Sequence, residues 1–203
     1  MCLDIRVFIG GIVMFWLIIV FLLLFGGFFL VTYNALIAKI EAVNNNNRQI
    51  DIQLDRRYKV FESLVNVVKK YMDYEKSTLK EVVALRQNAQ DAKEKGDFKA
   101  RYQAEDQISQ TLGGLNVVFE QYPDLKANQN ALQLQEEIVS TENRLAFAKQ
   151  AYNDSIEQYN VAKKSLLQSL VVAMVRDRLD KNFTYWKLSD ETITKKENYK
   201  VNL

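Results

Sequence analysis

The apolar and polar positions of the chain divide it sharply near residue 31. Residues 7–31 form a run of 25 without a charge, and nineteen of them are Leu, Ile, Val or Phe. A helix of this length rises about 37 Å at 1.5 Å per residue, enough to cross a hydrocarbon core of roughly 30 Å. A cleaved signal peptide has a shorter apolar region and a small-residue cleavage site, which Gly27–Tyr33 does not offer. The pattern therefore predicts an uncleaved transmembrane helix over 7–31, after a short tail over 1–6.

Beyond residue 31 the apolar residues recur at spacings of three and four, which is typical of amphipathic helices. The first stripe begins at Leu36 and continues through Ile50 and Leu64 to Tyr71. No glycine or proline occurs between Gly27 and Gly96, so the membrane helix is expected to continue directly into this stripe. A second helix is predicted from about Ser77, a candidate N-cap, and whether it is separate from the first stays open.

Two breaks divide the remaining pattern. Lys95-Gly96-Asp97 predicts a helix end followed by an aspartate cap, and Tyr122-Pro123-Asp124 predicts a turn. The last helix keeps its phase from Leu125 to Leu170 and ends in a strongly apolar stretch at 166–175. From 179 to 203 the pattern fails, so a flexible polar tail is expected there. The fold class is all-α: an N-terminal transmembrane helix continues into an elongated antiparallel bundle of about four long helices, with the bundle domain at 32–178.

Composition excludes several classes of function. The chain has 27 basic and 25 acidic residues, so no basic face indicates nucleic-acid binding. It has no histidine, which excludes Ser-His-Asp and Cys-His nucleophile systems, HExxH zinc sites and Glu-x-x-His di-iron sites. No phosphate-binding glycine loop is present, and the single cysteine excludes an intrachain disulfide. We expect no cofactor, no metal and no small-molecule substrate, and catalysis by carboxylates or lysines alone stays a minor alternative.

Two stretches carry a resemblance to a known family. The first includes Tyr33-Asn34 and the segment IDIQLDRRY at 50–58. The second includes EQYPDLKAN at 120–128, TENR at 141–144, and the pairs Tyr152-Asn153 and Tyr159-Asn160. In order and spacing these residues resemble the bacterial LemA family over about 33–165. The resemblance implies a single-pass membrane protein with an antiparallel helical bundle and no established enzymatic activity, cofactor or substrate.

The chain departs from the family pattern at several positions. Asn46-Asn47 replaces an Ala-Trp pair, and prolines usual near Glu62 and near Leu167 are missing. Since proline interrupts helices, these losses predict straighter and more continuous helices here.

The motif residues suggest a packing role. Arg56 and Arg57 lie on the first helix and Glu136, Glu137 and Glu142 on the last, so antiparallel packing would pair them. Such pairs fix helix register more than they add stability. A polar groove for a partner peptide and an all-oxygen Ca²⁺ or Mg²⁺ site are the sharper alternatives, although no Asp-rich loop is present. The candidate structural or interaction residues are Asp51, Gln53, Arg56, Arg57, Glu137, Glu142, Asn143 and Arg144.

The leading functional hypothesis is a membrane-anchored, non-enzymatic scaffold or adaptor. It contacts lipid through residues 7–31 and binds copies of itself or other membrane proteins. The alternative is a membrane-remodelling or lipid-surface protein that forms oligomers, because basic residues flank the apolar stretch at 166–175. Positive charges near the span, Arg6 on one side against Lys39 and Arg48 on the other, slightly favour a cytoplasmic bundle at the cell membrane.

Overall fold

The computed structural model describes residues 2–68, 76–121, 123 and 127–187, and within these the side chains of 10–67, 80–112, 123 and 127–187. The described residues form helices without strands, as the pattern predicted. The helices are α1 (Cys2–Val68), α2 (Lys76–Glu94), α3 (Phe98–Gln121), α4 (Gln129–Lys164), α5 (Leu166–Met174) and α6 (Arg176–Leu179).

Helix α1 contains the apolar run and continues beyond it without a break, as expected. It is the one helix in the described part that is long and apolar enough to cross a membrane. Residues 10–31 include no buried side chain, and Thr32 is the first buried residue among the side chains of α1 that the structure describes. The change from unburied to buried side chains therefore coincides with the end of the apolar run, which makes 10–31 a candidate membrane anchor.

The helix ends follow local capping rules. Gly96 adopts a φ of +70°, a conformation that favours glycine, and closes α2. The Asp97 carboxylate accepts a hydrogen bond from the Ala100 amide at 3.0 Å, so the predicted cap of α3 is confirmed. Asn128 caps α4 in the same way through the Ala131 amide. Ser77 lies inside α2, which begins at Lys76, and the turn predicted at Tyr122-Pro123-Asp124 lies largely outside the described residues.

The chain divides into two compact units, the first comprising Met1–Asn44 with Ser155–Phe183 and the second Asn45–Asp154 with Thr184–Leu203. In the second unit, contacts between helices define an up-and-down order. Asn46 contacts Ala151 and Arg56 contacts Glu137, so α1 and α4 are antiparallel. Helices α2 and α3 pack side by side and are joined by the turn at Gly96. This arrangement is the predicted antiparallel bundle.

Four helices share the core of the second unit. Each supplies apolar side chains at helical spacing, and a continuous buried cluster results. Its members are Tyr58, Phe61, Leu64, Val65, Val82, Ile108, Leu112, Ala131 and Ile138.

One prediction about the last long helix is wrong in the first unit. The last helix was expected to run unbroken through Leu170, but α4 ends at Lys164 and Ser165 adopts an extended backbone before α5 begins. The missing proline near Leu167 thus does not make the helix continuous. The break lets Val171 and Val172 become buried, together with Leu179 of α6.

The predicted flexible tail is described only as far as residue 187, and that part is packed. In the first unit the Lys181 amide donates to the Tyr159 hydroxyl at 2.8 Å. In the second unit Trp186 is buried, and its backbone makes two 2.8 Å hydrogen bonds with the Asn153 side chain. Residues 180–187 are therefore packed against the protein and do not form the expected flexible tail. Aromatic side chains hold this segment in place, although it has no helical pattern of apolar residues. Residues 188–203 lie outside the described part.

Candidate functional site

The polar centre of the second unit is Arg57, which lies on the buried face of α1. Its side chain has no exposed surface. One terminal nitrogen donates to the Glu105 carboxylate of α3, and the other donates to Ser109 Oγ at 2.9 Å and to Glu142 Oε1 of α4 at 3.3 Å. Ser109 in turn donates to Glu142 Oε2 at 2.9 Å. We call Arg57, Glu105, Ser109 and Glu142 the buried arginine cluster.

Tyr58 extends this cluster toward α2. Its hydroxyl donates to Glu105 Oε2 at 3.3 Å, and the Arg86 guanidinium lies 4.3 Å from the centre of its ring. Burial, followed by the negative charge of Glu105, raises the pKa of Tyr58 to about 12. The phenol is therefore neutral at physiological pH and acts as a hydrogen-bond donor to the carboxylate.

The geometry of the cluster suits helix positioning better than solute binding. Arg57 and Glu105 are both enclosed by protein, so a dissolved ligand has no path to either charge. Removing one partner of such a pair leaves a buried charge uncompensated, which makes misaligned helix registers costly. The cluster joins α1, α3 and α4 at one level and can hold the three helices in a single register.

Sequence reasoning found only part of this cluster. Arginines of the first helix were expected to pair with glutamates of the last one without specific partners, and Arg57 does contact Glu142, but Glu105 and Ser109 were missed. A signal for Glu105 existed, because it lies three residues from both Tyr102 and Ile108 and so occupies a position of the apolar stripe. A carboxylate at such a position needs a buried partner, and Arg57 occupies the corresponding stripe position of α1.

The other predicted residues of α1 form pairs closer to solvent. Arg56 Nε donates to Glu137 Oε1 at 2.8 Å, one of the arginine–glutamate combinations that antiparallel packing allowed. Asp51 bridges two helices, since it accepts from Lys93 of α2 at 2.9 Å and from Arg101 of α3. Gln53 Oε1 is buried and has no hydrogen-bond partner within the described part of the chain. Whether these residues serve as an interaction site stays a prediction.

Asn143 and Arg144 lie apart from the buried arginine cluster. Both are exposed on a shallow groove along α4, and Glu136 faces this groove instead of an arginine of α1. Exposed large apolar side chains alternate with these polar ones. We call this surface the α4 outer face, formed by Leu132, Glu136, Val139, Asn143, Arg144 and Phe147.

A further group of polar side chains, apart from the buried arginine cluster and the α4 outer face, surrounds Trp186. The Tyr102 ring stacks on it at 4.0 Å between ring centres, and Lys149 Nζ lies 4.6 Å from the ring centre. Burial lowers the pKa of Lys149, although the nearby Asp106 carboxylate at 3.7 Å acts in the opposite direction. Burial likewise raises the pKa values of Tyr102 and of its neighbour Tyr152. Both tyrosine hydroxyls reach the Thr184 carbonyl, at 3.4 and 3.1 Å.

Across the described residues, no three His, Cys, Asp or Glu side chains lie close enough together to hold an ion. Asp51, Asp106, Glu105, Glu137 and Glu142 instead pair with arginines or lysines.

Fold and site together define a class: an all-helical bundle protein with an N-terminal candidate membrane anchor and buried arginine–carboxylate pairs between its helices. The chain belongs to the LemA family, whose sequence model matches residues 46–202. It is also similar to Protein LemA of Metamycoplasma hominis (strain ATCC 23114), with 28% identity over 153 residues. That alignment covers 74% of this chain and 69% of the relative. The family suggested by the sequence motifs is therefore confirmed.

Proposed function

We propose that this LemA family protein is a membrane-anchored, non-enzymatic scaffold that presents its helical bundle to protein partners, including copies of itself. Residues 7–31 hold the chain in the cell membrane, and the bundle lies on the cytoplasmic side. No nucleic acid, cofactor or small-molecule substrate takes part.

The observation that carries the proposal is the α4 outer face. Leu132, Val139 and Phe147 lie on one side of the helix at spacings of seven and eight residues, and each is substantially exposed. Large apolar side chains grouped on a surface and rimmed by polar residues mark protein interaction sites. Asn143 and Arg144 supply the polar rim, and arginine is enriched in such interfaces.

The buried arginine cluster supports the same function indirectly. A docking surface keeps its shape only when the helix that carries it is fixed in register. Glu142 joins the cluster and directly precedes Asn143, so the cluster fixes α4 at the level of the outer face. The family motif TENR at 141–144 thus combines one inward carboxylate with two exposed polar residues.

Photocrosslinking in the native membrane tests the proposal. A benzophenone amino acid is placed in the full chain at Phe147, which is 71% exposed, and as a matched control at Val83 of α2, which is 58% exposed. We expect irradiation to give discrete larger adducts from position 147 and none from position 83. Adducts that contain only this chain indicate self-assembly, and adducts with another membrane protein indicate an adaptor. Absence of adducts at 147 contradicts the scaffold function.

Self-association is measured independently by light scattering of the full chain in detergent. We expect a species larger than the monomer that Phe147→Ser converts to monomer. A strict monomer of the original chain removes the oligomer from the proposal. A broad screen that finds catalytic turnover contradicts the non-enzymatic part.

A further inference from the structure

Helix α5 presents an unusual surface in the first unit. Four of its large apolar side chains are exposed, and Leu166, the first of them, is 83% exposed. At about 100° per residue these four fall within an arc of about 100°, so they form one apolar stripe. The opposite side of the same helix is buried through Val171 and Val172. The α5 stripe consists of Leu166, Leu167, Leu170 and Met174.

The position of α5 is tied to the end of the candidate membrane anchor. Arg178, on the helix that follows α5, donates to the Tyr33 hydroxyl at 3.4 Å, within the first unit. Tyr33 lies two residues beyond Val31, the last residue of the apolar run, which is about 3 Å along a helix. Arg178 is thus within one side-chain length of the level where the hydrocarbon core ends. Tyrosine is also a residue enriched at this level of membranes.

The charges around α5 favour an anionic surface. Residues 163–181 contain five basic side chains and two acidic ones. One of the acidic ones, Asp180, is paired with Lys163 at 2.9 Å, and this pairing lowers the pKa of Asp180. Lys164, Arg176 and Arg178 are exposed directly before and after α5. An apolar stripe with cations at both ends is the composition of helices that lie in the interface of anionic bilayers.

We propose that α5 is a second membrane contact, which lies in the plane of the bilayer surface beside the anchor. The α5 stripe enters the boundary between headgroups and acyl chains, and Arg176 and Arg178 contact the phosphates of anionic lipids. The helix has nine residues and is therefore too short to span the bilayer. This inference concerns lipid and is independent of the α4 outer face and its protein partners.

Spin labelling of the full chain tests this proposal, since the chain has one native cysteine, Cys2, which is first replaced by serine. A nitroxide is attached at Leu170→Cys, and as a control at Ile52→Cys. The two positions are matched in exposure, at 60% and 55%. Ile52 lies 21 residues after Val31, the last residue of the apolar run. Leu166→Cys provides a second label on the stripe.

The proteins are reconstituted in vesicles of phosphatidylcholine with phosphatidylglycerol, and collision rates with oxygen and with a water-soluble nickel complex are measured. We expect nickel collisions to be severalfold lower at 170 and 166 than at 52, with oxygen collisions higher. We also expect the nickel protection to weaken in vesicles of phosphatidylcholine alone. Equal nickel collision rates at 170 and 52 overturn the proposal. Strong spin–spin broadening at 170 identifies a second copy of the chain as the occupant and also overturns it. Protection that is the same in both vesicles contradicts the role of the basic residues.

Discussion

Arg57 of α1 and Glu105 of α3 form an ion pair from which solvent is almost completely excluded, with Glu142, Ser109 and Tyr58 as further partners. Buried charges of this kind contribute less to net stability than to the choice of one arrangement, because every alternative leaves a charge unpaired. This relationship links a motif arginine to the register of three helices.

Glu105→Ala removes the principal partner of Arg57. We expect the free energy of unfolding to fall by about 3–5 kcal/mol, the usual cost of leaving a buried charge without its partner. Urea unfolding of the full chain in detergent, followed by circular dichroism, measures the change. Asp55→Ala is the control, because Asp55 pairs with Lys59 at the surface and its loss should cost less than about 1 kcal/mol. A small loss for Glu105→Ala, similar to that of the control, contradicts the structural role of the cluster.

Trp186→Ala should release the segment that was expected to be free but is packed. Truncating a buried aromatic side chain costs about 3–5 kcal/mol when the site cannot collapse, and here the indole also stacks on Tyr102. We expect trypsin to cleave after Lys181 and Lys187 much faster in the variant than in the original chain. Asn182→Ala, at an exposed position of the same segment, should leave the cleavage rate unchanged. Equal cleavage rates in all three proteins would show that Trp186 does not hold the segment.

Alkaline pH should destabilise the bundle through Tyr58. Its pKa is 10.0 in the unfolded chain and about 12 in the folded one, so the folded state holds the proton more tightly. The stability from this group is complete below pH 10 and is lost as the pH rises toward 12. The pKa values of Tyr102 and Tyr152 are also raised by folding, so their contribution to stability is likewise lost at high pH. The pKa of Lys149 is lowered by folding, so its contribution to stability increases as the pH rises.

Tyr58→Phe should therefore reduce the loss of unfolding free energy above pH 10 without abolishing it. Urea unfolding at a series of alkaline pH values, in the original chain and the variant, gives the two slopes. Parallel slopes would mean that the Tyr58 phenol does not titrate differently in the folded and unfolded states.

Periodicity sufficed to predict the class of the fold from the sequence. The apolar run, the stripes and the capped turn at Gly96-Asp97 all depend on local rules, and the structure confirms them. The extension of the last helix through Leu170 was wrong, since Leu166 and Leu170 keep the helical phase although the backbone breaks at Ser165. Leu166 follows Tyr159 by seven residues and Leu170 follows Leu166 by four, so the spacing of apolar residues does not reveal the interruption at Ser165.

The candidate site was predictable only where partners lie on helices known to be antiparallel. The pairs Arg56–Glu137 and Arg57–Glu142 follow from that topology. Glu105 was missed because an apolar pattern passes over a carboxylate within its own stripe, although that charge at a buried position is what requires a partner. Trp186 was missed because its segment has no periodicity, and its burial depends on tertiary contacts with Tyr102 and Lys149.

The sidedness of the membrane protein is testable through Cys2, the only thiol of the chain. A cytoplasmic bundle requires the N-terminus to face outward. We expect an impermeant maleimide to label Cys2 in intact cells, and Cys2→Ser to abolish the signal. Protection in intact cells, together with labelling after lysis, reverses the orientation.

Extraction of isolated membranes with alkaline carbonate tests the central claim, the anchoring of the bundle by residues 10–31. Within the described part of the chain none of these side chains is buried by protein, so we expect lipid to provide their apolar surroundings. We predict that the full chain stays in the membrane pellet and that a variant lacking residues 7–31 appears in the supernatant. Release of the full chain into the supernatant would contradict the anchor and the functions that depend on it.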